Sequence, residues 1–94
     1  MSESHKISLP ERFDFSFHRE FLALYEEAFS SKICKHITLD FSRVNYLDSS
    51  ALGMMVLLHK KAKLVNVSTA IIGANGTASD ILKMTNLQKL YDIT

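Results

Sequence analysis

The sequence predicts an α/β fold: a small mixed β-sheet covered by helices. Three observations carry this expectation. Segments in which every second residue is apolar alternate with segments whose apolar residues recur every third and fourth position, so strands and helices take turns along the chain. Strands separated by helices join as crossover units, with parallel neighbours wherever the connection is long enough. The chain has 94 residues. A chain of that mass folds to about 5,500 Å² of surface against about 15,400 Å² unfolded, enough for one modest core and one domain.

The elements follow in order. Ile7 and Leu9 alternate with Lys6 and Ser8 before Pro10, which reads as a short strand at a sheet edge. Phe13 and Phe15 keep the same alternation. Phe17, Phe21, Leu24, Tyr25 and Phe29 then recur at helical spacing, with Asp14 or Ser16 as the N-cap and the aromatic stripe as ordinary core. Ile37, Leu39 and Phe41 share one face of a strand starting at His36, and residues 42–45 form a loop. A second helix follows Asp48 and runs to about Leu64, with Asn66 as its terminator. Residues 67–72 are rich in β-branched side chains and end at Gly73. Residues 77–85 read as a short third helix. Leu87, Leu90, Tyr91 and Ile93 close the chain in a turn and a last strand.

The second helix is unusual. Ala51, Leu52, Met54, Met55, Val56, Leu57 and Leu58 are apolar all round for two turns before His59, Lys60, Lys61 and Lys63 appear. A helix on one face of a small sheet needs a polar outer side. Either another helix covers this one, or it presents an apolar patch to a partner; we carry the partner reading forward. Its C-terminal lysines suit the helix dipole without further role. At its start, Asp48-Ser49-Ser50 serves as a helix cap on spacing alone. A phosphoserine there would add about −1.5 to −2 charges beside a helix N-terminus carrying roughly +0.5. The domain could tolerate it, and the effect would fall on a docked partner.

Charge and cysteine usage exclude several classes. Eleven basic residues stand against ten acidic ones, which leaves no basic surplus of the kind nucleic-acid binding needs. Cys34 is the only cysteine, so intrachain disulfides and cysteine-paired zinc sites are ruled out. The longest apolar run, residues 51–58 with Gly53 inside it, is short of the roughly 17 to 25 residues of a membrane span. No basic-then-apolar leader opens the sequence. The expectation is a cytoplasmic protein with no membrane insertion.

The run Ile37-Thr-Leu-Asp-Phe-Ser-Arg-Val-Asn-Tyr-Leu-Asp-Ser-Ser-Ala-Leu-Gly53 closely resembles the central motif of STAS domains, specifically of bacterial anti-sigma factor antagonists. The resemblance extends through Gly73 to Ile93 and covers residues 36–93 well; the first 35 residues match in element order only. It implies a single STAS domain over residues 1–94 that is not an enzyme and needs no cofactor or metal. The implied activity is a partner switch in signal transduction and transcription regulation. The antagonist binds a serine kinase/anti-sigma factor of the histidine-kinase-like ATPase type. That kinase phosphorylates Ser49, phosphorylation releases the complex, and a PP2C-type phosphatase restores binding. Asp48 would help hold the acceptor loop, with Ser50, Ala51, Leu52, Gly53, Met54 and Leu58 on the docking surface. Ala51 replaces a glycine common in the family; alanine is the better helix former by about 1 kcal/mol, so the helix starts more firmly.

Other readings are weaker. Gly73-Ala-Asn-Gly76 imitates the Gly-x-x-Gly loop of KH domains, but the preceding residues read as a strand and the two loop residues bring no positive charge. No Gly-Lys-Ser/Thr follows, so this is no P-loop. His5, His18, His36 and His59 lack metal-site spacing. Asp40 and Asp48 would serve acid–base chemistry only in a cleft. Cys34 sits beside Lys35, which would lower its pKa slightly, yet reads as a buried thiol. The alternative function is a STAS subunit constitutively bound to an ABC transporter ATPase.

Overall fold

A computed structural model describes residues 4–94. The chain runs β1 (Ser4–Ser8), β2 (Arg12–Phe13), a 3-10 turn (Phe15–Phe17), α1 (His18–Ser30), β3 (His36–Asp40), β4 (Tyr46–Leu47), α2 (Ser49–Leu64), β5 (Ser68–Ile72), α3 (Gly76–Met84), a second 3-10 turn (Leu87–Lys89) and β6 (Asp92–Ile93). The main sheet has the order β1-β3-β5-β6, and β2 with β4 forms a separate two-stranded ladder.

The α/β class and the helix-covered sheet hold. The expected mixed strand directions are corrected: every described pairing is parallel. Among the described residues no hairpin joins neighbouring strands. Each step from β1 to β3, β5 and β6 passes through a helix, and only such crossovers connect parallel neighbours. The steps all move the same way across the sheet, so right-handed crossovers place α1, α2 and α3 on one face. Burial agrees. Ile7, Ile37, Leu39, Thr69 and Ile71 are buried, while Lys6, Thr38, Asp40, Ala70 and Ile72 on the opposite face are exposed or half-exposed. The molecule thus has two layers, one sheet and one helical.

Local chemistry accounts for the helices. Asp14 accepts from the Ser16 backbone N–H at 3.0 Å and caps the first 3-10 turn, which winds on into α1. The cap expected for α1 therefore sits one short turn upstream of it. Phe13, Phe21, Tyr25 and Phe29 form a continuous ring ladder with successive centroids 5.3, 5.4 and 5.8 Å apart, within the range in which tilted and edge-to-face pairs are favourable. Asn66 ends α2 with φ 58°, a left-handed conformation that asparagine tolerates. Gly73 ends β5 with φ 73°; a Cβ there would lie 3.1 Å from the Ser42 backbone nitrogen. That close approach lets the 42–45 loop fold against the end of β5.

Two polar side chains tie the layers. Tyr91 is buried, and its hydroxyl donates to the Met55 carbonyl of α2 at 2.6 Å. The buried Thr69 hydroxyl meets His59 Nδ1 at 3.1 Å. Among the described residues no buried side-chain nitrogen or oxygen lacks a partner, as expected when an orphaned group costs about 1–3 kcal/mol. On the open face, Asp40 accepts from the Ser42 N–H at 2.9 Å and lies 3.9 Å from Lys6.

Tyr91→Phe is expected to lower stability by about 1 kcal/mol, read as a lower urea midpoint at unchanged slope. The second expectation concerns acid. The Ser42 backbone N–H, then its hydroxyl, then Lys6 hold the Asp40 carboxyl below its ordinary 3.8. A depressed folded pKa stabilises the folded state fully above the unfolded value and loses that contribution as pH falls through the folded one. Asp40→Asn should therefore melt below wild type at neutral pH, with the gap closing well below pH 3.8.

Candidate functional site

The site lies at the N-terminus of α2. The β2–β4 ladder pairs Arg12 with Tyr46 and Phe13 with Leu47, and both Phe13 and Leu47 are buried. These anchors fix the chain up to Asp48. Asp48 is extended (φ −114°, ψ −177°), and its Oδ1 accepts from the Ala51 N–H at 2.9 Å. An N-cap of this kind is worth about 1 kcal/mol. Asp48, not Ser49, is therefore the cap. Ser49 is the first helical residue, and its hydroxyl makes no hydrogen bond among the described residues.

Ser49 is exposed, Ser50 half-buried. A phosphate on Ser49 would meet the positive end of α2 and the negative Asp48 carboxylate beside it. The two effects oppose one another, so the domain itself would change little while the surface gains charge and bulk. From Ser49 an outward stripe runs along α2 through Gly53, Leu57, Lys60 and Leu64. Leu57 is 48% exposed, and a Cβ added at Gly53 meets nothing within 4 Å. Leu52 is half-buried at the flank of the stripe.

Three residues expected on this surface belong to the core instead. Ala51 and Leu58 are fully buried and Met54 is 8% exposed. With apolar residues at every position of two turns, periodicity could not fix which side faces the sheet. The structure turns Ala51, Met55, Leu58 and Ala62 inward, and the outward patch falls on Gly53 and Leu57.

Sequence reasoning missed an aromatic margin. The Arg12 guanidinium lies 4.5 Å from the centre of the exposed Tyr46 ring, within cation–π range. Phe15 is 67% exposed and stacks on His18 at 5.4 Å. The two-residue β2 and β4 are too short for any periodicity to show, so nothing in the sequence placed Arg12 beside Tyr46.

The rival motifs resolve differently. The Gly73–Gly76 loop joins β5 to α3, not two helices, which removes the KH reading. Asp40 and Asp48 each accept from a backbone amide and act as turn and helix caps. Cys34 is buried, and burial pushes its thiol pKa up, the opposite of the slight lowering expected from Lys35. Among the described residues no three His, Cys, Asp or Glu side chains cluster as a metal site, and no helix is long and apolar enough to cross a membrane.

Comparison with known proteins gives this geometry a family. The pattern for the STAS domain matches residues 5–94. A STAS-domain containing protein of Pseudomonas aeruginosa is 32% identical over 88 residues, covering 94% of this chain and 85% of its own. A putative anti-sigma factor antagonist from Thermotoga maritima shares the fold with a TM-score of 0.83 at 21% identity, over 99% of this chain and 80% of its own. The Bacillus cell fate determinant SpoIIAA, in its phosphorylated form, does so with a TM-score of 0.75 at 18% identity, over 100% and 85%. A sulfate transporter family protein from Wolinella succinogenes scores 0.82 at 10% identity, over 99% and 77%. The chain, with its exposed serine at the head of α2, belongs to the STAS domain family.

Proposed function

We propose that this chain is a partner-switching regulator of the anti-sigma factor antagonist type, acting as one STAS domain over residues 1–94 in the cytoplasm, without turnover or cofactor of its own. The observation that carries the reading is the exposed Ser49 hydroxyl at the first position of α2, next to the capping Asp48 and at the head of the exposed Gly53–Leu57 stripe. Unmodified Ser49 permits docking of a serine kinase/anti-sigma factor of the histidine-kinase-like ATPase type. Phosphorylation places nearly two negative charges at the edge of that interface and releases the partner. A PP2C-type phosphatase resets the switch. The fold likeness to phosphorylated SpoIIAA supports the reading, since that protein carries a phosphate on the same architecture.

Pull-down from the source-cell lysate with wild type and Ser49→Asp side by side tests it. Wild type should retain a kinase-like ATPase that the variant loses by tenfold or more in mass-spectrometric signal. Equal recovery of a transporter ATPase by both proteins would instead assign the constitutive subunit role.

Leu57→Lys and Met54→Lys separate docking from folding. Leu57 is half in water, so its substitution should shift stability by no more than about 0.5 kcal/mol while abolishing partner retention. Met54 is core, and a lysine there should cost about 3 kcal/mol or more, seen as a collapsed urea midpoint.

A further inference from the structure

The opposite end of the molecule carries a second surface. In a parallel sheet linked by helices, each helix ends at the edge where the strands begin. α1, α2 and α3 therefore bring their C-termini to one edge, away from Ser49. There the 31–35 and 65–67 connections meet. The Ser68 N–H donates to the Lys35 carbonyl at 2.8 Å, and Phe29, Lys32, Cys34, Val65 and Val67 line one shallow cavity of about 180 Å³.

Apolar side chains stand out of this seam. Leu64 is 84% exposed, Val65 59% and Ile33 37%. Lysines surround them: the segments 28–39 and 58–69 contain five lysines and no carboxylate. Lys61 pairs with Glu26 of α1 at 3.0 Å, while Lys32, Lys60 and Lys63 are exposed. The C-terminal dipole of α2 accounts for Lys61 and Lys63. It accounts for neither Lys32 nor a leucine left almost wholly in water.

We propose that this edge binds the surface of an anionic lipid bilayer. The lysines meet the headgroup phosphates, and Leu64, Val65 and Ile33 enter the boundary between headgroups and acyl chains. Composition favours lipid over a protein partner. Protein interfaces are enriched in arginine and aromatic residues and depleted of lysine. Here every cation is lysine, while Arg12, Arg19 and Arg43, with the exposed Phe15 and Tyr46, lie at the Ser49 end. The cavity is below the roughly 300 Å³ of an ordinary small-molecule pocket. A deformable, negatively charged surface matches projecting apolar tips flanked by lysines. Docked this way, α2 stands on its C-terminus and Ser49 faces away from the lipid.

Co-sedimentation with sucrose-loaded vesicles tests the proposal. The full chain should pellet with mixed phosphatidylcholine and phosphatidylglycerol vesicles at low salt, and stay in the supernatant with phosphatidylcholine alone or at high salt. Near an anionic surface each lysine is worth about a fivefold factor in binding, so Lys60→Ala with Lys63→Ala should lower partitioning about twenty-five-fold. Leu64→Ser should lower it severalfold, and Arg12→Ala should leave it unchanged. Ser49→Asp should bind vesicles as wild type does, so this proposal and the switch fail independently. No pelleting with phosphatidylglycerol overturns it, as does pelleting unaffected by the lysine double variant. A dimer on gel filtration that Leu64→Ser dissolves would overturn it too, by assigning the patch to a second copy of the chain.

Discussion

Everything in this molecule depends on the one-directional parallel pairing of β1, β3 and β5. Because each strand returns through a helix to lie beside its predecessor in the same direction, strand C-termini and helix N-termini collect at one edge. That edge receives the loops, the caps and the β2–β4 ladder. Asp48 is placed at the start of α2 by that ladder, and Gly73 allows the 42–45 loop to close against β5. The serine at the head of α2 owes its exposure to this arrangement, since the helix below it is pinned to the sheet and its first turn must project beyond the strand ends.

The site is suited to being read by another protein. Its carboxylates are engaged as caps and its serine is unencumbered. The surrounding surface combines a smooth helical stripe with a margin of arginine and exposed rings, the side-chain classes that protein interfaces favour. A phosphate added here lies between the partial positive charge of α2 and the full negative charge of Asp48. The two charges would oppose one another, so a phosphate there would alter the surface more than the fold.

Much of this was legible in the sequence. The long elements carried strong periodicity, and β1, α1, β3, α2, β5 and α3 lie close to where alternation, capping residues and the Asn66 and Gly73 breakers place them. The serine motif marked the start of α2. What was not legible shares a physical cause. Strand direction is decided by connections, so the all-parallel sheet emerged only from the crossovers. The orientation of α2 could not be read because two turns of apolar side chains offer no contrast, and Met54 and Leu58 accordingly turned out to be core. The Arg12–Tyr46 contact joins two-residue strands that have no period at all. Cys34 shows the converse: its charged neighbour was visible in sequence, but the burial that dominates its chemistry was not.

The parallel sheet also has a consequence for how the chain reaches this state. Ile7 pairs with Leu39 and Leu39 with Ile71, 32 residues apart in each case. No strand of the main sheet can pair with a chain neighbour through a tight turn, so no local nucleus of sheet exists. Each central ladder must first overcome the loss of chain entropy on closing a segment of that length. Only then do the backbone bonds and the buried face of the strands begin to reward it. Such non-local topology places folding toward the millisecond-to-second range. Helices alone can form early, and the half-built protein is a set of helices with apolar surface exposed around an open β-branched edge. Until β3 and β5 have zipped, the segment that will become the interior of the sheet is the stickiest part of the molecule, and crowding or delay at that stage favours association between chains over folding within one.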